Sequence, residues 1–222
     1  MYREEDKLIL NVLDNKVVIP LLEVEFFERQ GKKVYITFRD QNQLSFFGDI
    51  SDLWDLVKDA PFTRCHGDYL VSNHAITAIY PDYIQLENRL IAISNGFRDE
   101  LNRHMDEIMQ CIRQRMSCEE WGMLKGVSGT YEGTLYPIRR DEDVVIGRDP
   151  EVADVIFETP EISRKHCIIR YLGRGKGYGL MDVSTNGTYV VGGPEVSDEK
   201  FTYIPEGSRI SLSDGRAVFC LE

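Results

Sequence analysis

At 222 residues, 42% of them apolar and 10% aromatic, the chain has material for two cores of about 100 residues each rather than for a disordered tail. Its net charge of −11 is spread over both halves, with 14 basic against 19 acidic side chains through residue 115 and 12 against 18 beyond it, which removes the basic balance of a non-specific nucleic-acid binder. Five cysteines without a CxxC pair argue against a disulfide framework or a zinc site, and with a polar N-terminus and no run near the roughly 20 apolar residues of a membrane helix, a soluble, cytoplasmic protein is expected.

Apolar runs at 8–10 and 17–19 flank the polar Asp14-Asn15-Lys16 and predict a hairpin. Runs at 24–27 and 34–38 around Gln30-Gly31-Lys32 predict a second, and 44–47 a further strand. Residues 51–57 read as a short helix capped by Ser51, with Leu53, Leu56 and Val57 on one face. Strands are expected at 75–80, 84–86 and 90–93. A long helix then follows, with Phe97, Leu101, Met105, Ile108, Ile112 and Met116 recurring at spacings of three and four. That stripe packs onto its own sheet or against a second protomer, so a homodimer is one expectation, and Cys111 and Cys118 share its face. Ser117-Cys118-Glu119-Glu120 has the capping-box pattern and predicts a new short helix. The junction is placed at 116–124, between a domain at 1–115 and another at 125–222.

The run Phe62-Thr63-Arg64-Cys65-His66-Gly67-Asp68-Tyr69-Leu70-Val71, the strand order over 21–38, the short helix and the later Ile93-Ser94 carry a family resemblance. Residues 7–105 resemble a LytTR-type DNA-binding domain, the mostly-β module of many bacterial response regulators. The resemblance implies loops entering successive major grooves, with Lys32, Lys33, Arg64, Arg89 and Arg98 as candidate DNA-facing residues. The chain departs from the family pattern at three contact positions. Gly67 replaces an Arg or Asn, Asp68 replaces a Ser, and Asn95 stands where an Arg follows the Ser. Each lost charge-assisted base contact is worth about 1–3 kcal/mol, and a carboxylate at 68 repels phosphates. These residues argue against DNA binding. His66, beside Cys65 but without further ligands at useful spacing, reads as a histidine that fixes its loop.

From residue 122 onward, short β-rich runs at 134–138, 144–146, 154–157, 167–172, 178–181, 188–191, 208–212 and 217–221 predict a β-sandwich. The fold class of the whole chain is therefore mainly β. Three polar groups punctuate these runs: Gly147-Arg148, Ser163-Arg164-Lys165-His166 and Ser184-Thr185-Asn186-Gly187-Thr188. Loops gathered at one end of a sandwich would offer a guanidinium, hydroxyls and an amide, a set suited to a phosphate. No general base or metal ligand stands with them in a catalytic spacing.

With these three signatures in order, residues 123–222 resemble a forkhead-associated (FHA) domain, a phosphothreonine-peptide reader on an eleven-strand sandwich. The resemblance implies that Arg148 pairs with the phosphate, Ser163 donates its hydroxyl and Arg164 adds a second charge or a backbone contact. It further implies that Thr185 touches the phosphate or the threonine pocket and Asn186 holds the peptide backbone. Gly147, His166 and Gly187 are its scaffold. Three functions are weighed. One is a transcription regulator that binds a phosphothreonine protein and DNA; another is a phosphorylation-dependent adaptor whose first domain makes protein contacts instead. An enzyme is disfavoured because no nucleophile elbow, P-loop or paired-ligand helix is present. Neither a cofactor nor a metal is expected.

Overall fold

The computed structural model describes residues 1–12, 15–117, 119–198, 200–213, 215 and 217–222, Val12 for its backbone only. Asp14 of the first predicted turn and Cys118 of the predicted capping box lie outside the described residues. The chain divides into two compact units, Met1–Thr77 with Asp82–Arg115, and Ala78–Pro81 with Met116–Glu222.

The first unit opens with a three-stranded antiparallel sheet, β1 (Tyr2–Glu4), β2 (Lys7–Val12) and β3 (Asn15–Pro20). Leu8 faces Ile19 and Ile9 faces Val18, which makes the expected first hairpin, although Asn15 and Lys16 of the expected turn already belong to β3. Next come β4 (Val24–Gln30), β5 (Lys33–Phe38), β6 (Gln43–Phe47) and the helix α1 (Ile50–Val57). The cap of α1 is Asp49 rather than Ser51, because the Asp49 carboxylate accepts from the Ser51 backbone N–H at 2.7 Å. Its buried face is Ile50, Leu53 and Val57, one helical turn apart in each case, while Leu56 is only partly covered.

Residues 62–72 form a hairpin, β7 (Phe62–His66) and β8 (Tyr69–Ser72), and the five strands order as β6-β5-β4-β8-β7. Polar residues in β7 hide it from a hydrophobicity reading. Thr63 is nevertheless fully buried, its hydroxyl donating to Asn73 Oδ1 at 2.6 Å. The expected strand at 75–80 shrinks to β9 (Ala78–Ile79), which belongs to the second unit. A small hairpin, β10 (Tyr83–Gln85) with β11 (Leu90–Ala92), returns the chain to the first unit. The predicted long helix is two, α2 (Arg98–Arg103) and α3 (Met105–Arg115). They break at His104, whose backbone N–H turns to the Leu101 carbonyl. The apolar stripe Leu101, Met105, Ile108 and Ile112 is buried within the chain itself.

No helix follows Ser117 among the described residues: a turn at Glu119 and Glu120 leads into β12 (Trp121–Gly129), which begins inside the stretch read as a connector. The second unit continues through β13 (Leu135–Arg139), β14 (Asp143–Gly147), β15 (Val155–Ile156), β16 (Cys167–Tyr171), β17 (Tyr178–Asp182), β18 (Thr188–Val190), β19 (Thr202–Ile204), β20 (Arg209–Leu212) and β21 (Ala217–Leu221). Within this unit one sheet runs β9-β13-β12-β21-β20-β18 and the other, five-stranded, runs β15-β14-β16-β17-β19. Inward residues of both sheets build one core. Phe157 and Phe219 stack at 4.9 Å, with Tyr131 and Tyr136 on Phe157 at 4.2 and 5.5 Å. The protein is thus mainly β, with several sheets and few helices.

Tyr178 ties β12 to the residue that follows β21. Its buried hydroxyl accepts from the Met123 N–H at 2.9 Å and donates to the Glu222 carbonyl at 2.6 Å. Burial pushes this phenol well above its ordinary range, so it stays a neutral donor. Tyr178→Phe is expected to lower unfolding free energy by about 0.5–1.5 kcal/mol, the net worth of a hydrogen bond, since the Met123 N–H keeps its own bond to the Glu222 carbonyl at 2.6 Å. Urea denaturation checks this, and an unchanged midpoint would refute it.

Candidate functional site

Strand β14 delivers Arg148 to the end of the sandwich, and the backbone there is sewn to the 163–166 loop. Arg148 N–H donates to Ser163 O at 3.1 Å, Asp149 N–H to Arg164 O at 3.3 Å, and His166 N–H to Ile146 O at 2.7 Å. Gly147 is required by this closeness. A Cβ on it would lie 2.1 Å from the Arg164 carbonyl oxygen, so no side chain fits without moving backbone.

His166 sits between two loops and is fully buried. The Ser163 N–H donates into Nδ1 at 3.2 Å, which requires that nitrogen to be unprotonated, and Nε2–H then donates to Gly187 O at 3.2 Å. Burial holds the imidazole below its ordinary value, outweighing the Gly187 carbonyl and the Asp182 carboxylate, which both pull it upward.

The third loop is organised by a residue that motif reasoning passed over. Asp182, buried at the end of β17, accepts from the Ser184 hydroxyl at 2.9 Å and the Thr188 hydroxyl at 2.7 Å. The Ser184 oxygen in turn accepts from Gly187 N–H at 2.8 Å, closing the turn. An acid two residues ahead of the Ser184-Thr185-Asn186-Gly187 run was the signal available in the sequence. Gly187 has φ +82°, and a Cβ there would meet Glu195 and Tyr189 at 2.6 Å.

These three loops surround a cavity of about 530 Å³. Arg148, Ser163, Arg164 and Thr185 all line it, together with Lys165, Asp149, Val152 and Val183. The Ser163 oxygen accepts from Thr185 N–H at 3.1 Å, which leaves its own proton for another partner. Asn186 is the one expected contact residue outside the lining. Its Nδ2 donates to Glu161 O at 2.9 Å, fixing the amide with Oδ1 as its remaining acceptor. Arg148, Arg164 and Lys165 are exposed, and none has an ion pair or side-chain hydrogen bond among the described residues.

The five candidate DNA-facing residues of the first unit are differently placed. Arg89 donates to Glu28 and to the Tyr69 hydroxyl at 3.3 Å and lies 4.7 Å over the Phe26 ring. Arg64 donates to Ser51 at 3.3 Å and covers Phe97 at 5.2 Å, while Lys33 covers Phe47 at 5.3 Å. Arg98 opens α2. Lys32, exposed in the β4–β5 turn, is the one of the five with no described partner. The Asp68 carboxylate is met by Arg29, at 2.7 Å to Nε and 2.6 Å to Nη2. His66 accepts from the Asp68 N–H at 3.0 Å, while its neighbour Cys65 is buried, with a thiol pushed up to about 12. Among the described residues no group of three His, Cys, Asp or Glu side chains is placed to hold a metal ion. No helix among them is long and apolar enough to cross a membrane.

The family model of the LytTr DNA-binding domain matches residues 14–106, and that of the FHA domain matches 144–213. The chain carries the two domains in that order. A search of the curated proteins finds no match. Among solved structures, the FHA domain of CT664 protein from Chlamydia trachomatis is 25% identical, over 46% of this chain and 95% of its own, with a TM-score of 0.39. The LytTr DNA-binding domain of a methyl-accepting/DNA response regulator from Bacillus cereus is 20% identical, over 48% of this chain and 98% of its own, with a TM-score of 0.38.

The pH behaviour of His166 follows from its bonds. The unfolded imidazole protonates near its ordinary value of about 6.5, whereas the folded one stays neutral to lower pH. Its contribution to stability is therefore complete above the unfolded value and is lost as pH falls through the folded one. Titration of the ring by NMR is expected to give a midpoint below that of a free histidine; a midpoint above it would contradict the assigned tautomer.

Proposed function

We propose that this protein, a LytTR domain followed by an FHA domain, is a phosphorylation-dependent signalling protein that docks on a partner carrying phosphothreonine. Both domains are of binding rather than catalytic type. The observation that carries the proposal is the group Arg148, Arg164 and Lys165, exposed and unpaired among the described residues, on one cavity with the Ser163 and Thr185 hydroxyls. Three cations left without carboxylate partners repel one another, and a phosphate relieves that repulsion with charge-assisted hydrogen bonds. Arg148 and Arg164 supply the charge and Ser163 donates its free proton. The Asn186 Oδ1, oriented by the bond to Glu161, accepts a backbone N–H of the peptide. The FHA resemblance supports threonine over serine as the phosphorylated residue.

For the LytTR domain the side-chain contacts favour protein partners over DNA. Arg89 is held by Glu28, Arg64 and Lys33 cover rings, and Asp68 occupies Arg29. A phosphate backbone would have to displace these contacts and approach a unit of negative net charge. The adaptor is therefore the reading we place first, with the DNA-binding regulator second.

Two measurements test these halves separately. Arg148→Ala is expected to weaken binding of a phosphothreonine peptide by about 10- to 100-fold, the worth of a charged hydrogen bond, with the unphosphorylated peptide as control. Unchanged binding would exclude this cavity as the docking site. In a gel-shift salt series the wild-type chain should show no site-specific complex. Gly67→Arg with Asp68→Ser should raise affinity for DNA, because a Cβ at Gly67 meets nothing within 4 Å and Arg29 is released. A steeply salt-dependent wild-type complex would restore the regulator.

A further inference from the structure

The cavity is larger than one phosphate needs, and its lining residues are of two kinds. Among the charged ones, three cations are set against one carboxylate, Asp149, which leaves an excess of two positive charges. A phosphothreonine carries about −1.5 to −2 near neutral pH, so a single phosphate neutralises that excess. Among the described residues lining the cavity no positive charge remains to attract a second phosphate or an acidic neighbour, and Asp149 repels one. The opposite chemistry is supplied by Val152 and Val183, which line the same cavity and stay 50% and 37% exposed.

Both valines are held in place by their backbones. Val152 N–H donates to Asp149 O at 3.1 Å, and Val183 N–H to His166 O at 2.9 Å. A β-branched side chain on a fixed backbone has little rotamer freedom to lose on binding. Two such side chains in one cavity with three cations offer it apolar surface before any ligand arrives.

We infer that Val152 and Val183 form a subsite for an aliphatic side chain next to the phosphothreonine. The partners would then carry phosphothreonine flanked by Val, Ile or Leu rather than by an acidic or second phosphorylated residue. This rests on the cavity being the phosphothreonine site and goes beyond it by naming the neighbour.

The test is fluorescence anisotropy with the full chain and phosphothreonine peptides of one length. Each flanking position is varied in turn through Val, Ala, Asp and phosphothreonine. At one flanking position, Val should bind about tenfold more tightly than Ala, the worth of burying two methyl groups, and Asp and the second phosphate should bind more weakly than Ala. Val152→Thr and Val183→Thr change shape little at exposed positions. They should erase the Val-over-Ala preference, read as the ratio of the two affinities within each variant. Equal binding of the Val and Ala peptides would overturn the subsite, as would a preference that survives both variants or tighter binding of the doubly phosphorylated peptide. If the variants instead altered discrimination between phosphothreonine and phosphoserine, the valines would be contacting the threonine methyl and the subsite would fall. Binding that ignores phosphorylation altogether would remove both the subsite and the site on which it rests.

Discussion

A neutral, buried imidazole joins the loops of the proposed phosphate site. His166 accepts from one loop through Nδ1 and donates to another through Nε2, so a single ring sets the distance between Ser163 and Gly187. A proton on Nδ1 would turn its acceptor into a donor facing a donor and bury a charge. The low basicity imposed by burial therefore belongs to the same device as the geometry. Gly147 completes it, since the backbone at Arg164 rests where a Cβ would be. With these backbones locked, the exposed cations are placed by scaffold rather than by partners of their own, and they remain available.

The first unit shows the reverse arrangement. Its cations are spent on its own surface: Arg29 on Asp68, Arg89 on Glu28 and Tyr69, Arg64 and Lys33 on aromatic rings. Exposed pairs of this kind add little stability, but they lower the charge on offer to a polyanion. Asp68 takes part in this neutralisation and does not stand alone as a repulsive group. One chain thus has one domain with unpaired positive charge and one where most candidate contacts are already occupied.

Much of this was legible in the residue order. The first two hairpins, the sandwich strands and the three signature loops all follow from local alternation, turn residues and spacing. What escaped was structure whose support lies elsewhere in the chain. Strand β7 looks polar because Thr63 needs Asn73 to be satisfied when buried. The helix from 98 to 115 keeps its apolar period through His104, so periodicity alone did not reveal the break. Ser51 looked like a cap, yet Asp49 holds the position because its carboxylate reaches the Ser51 N–H.

By itself, the sequence determined a mainly β chain with a LytTR domain before an FHA domain, and the loops that carry Arg148, Ser163 and Asn186. These rest on short-range patterns in which each residue's role depends on near neighbours. The tertiary structure alone decided which charges stay available, that Asp182 organises the third loop, that Asn186 is turned by Glu161, and that two valines share a cavity with three cations. Pairs such as Arg29 with Asp68 and Glu28 with Arg89 stand far apart in the chain. Whether a charge is free or spent is set by which backbones the fold brings together, and no local pattern encodes that.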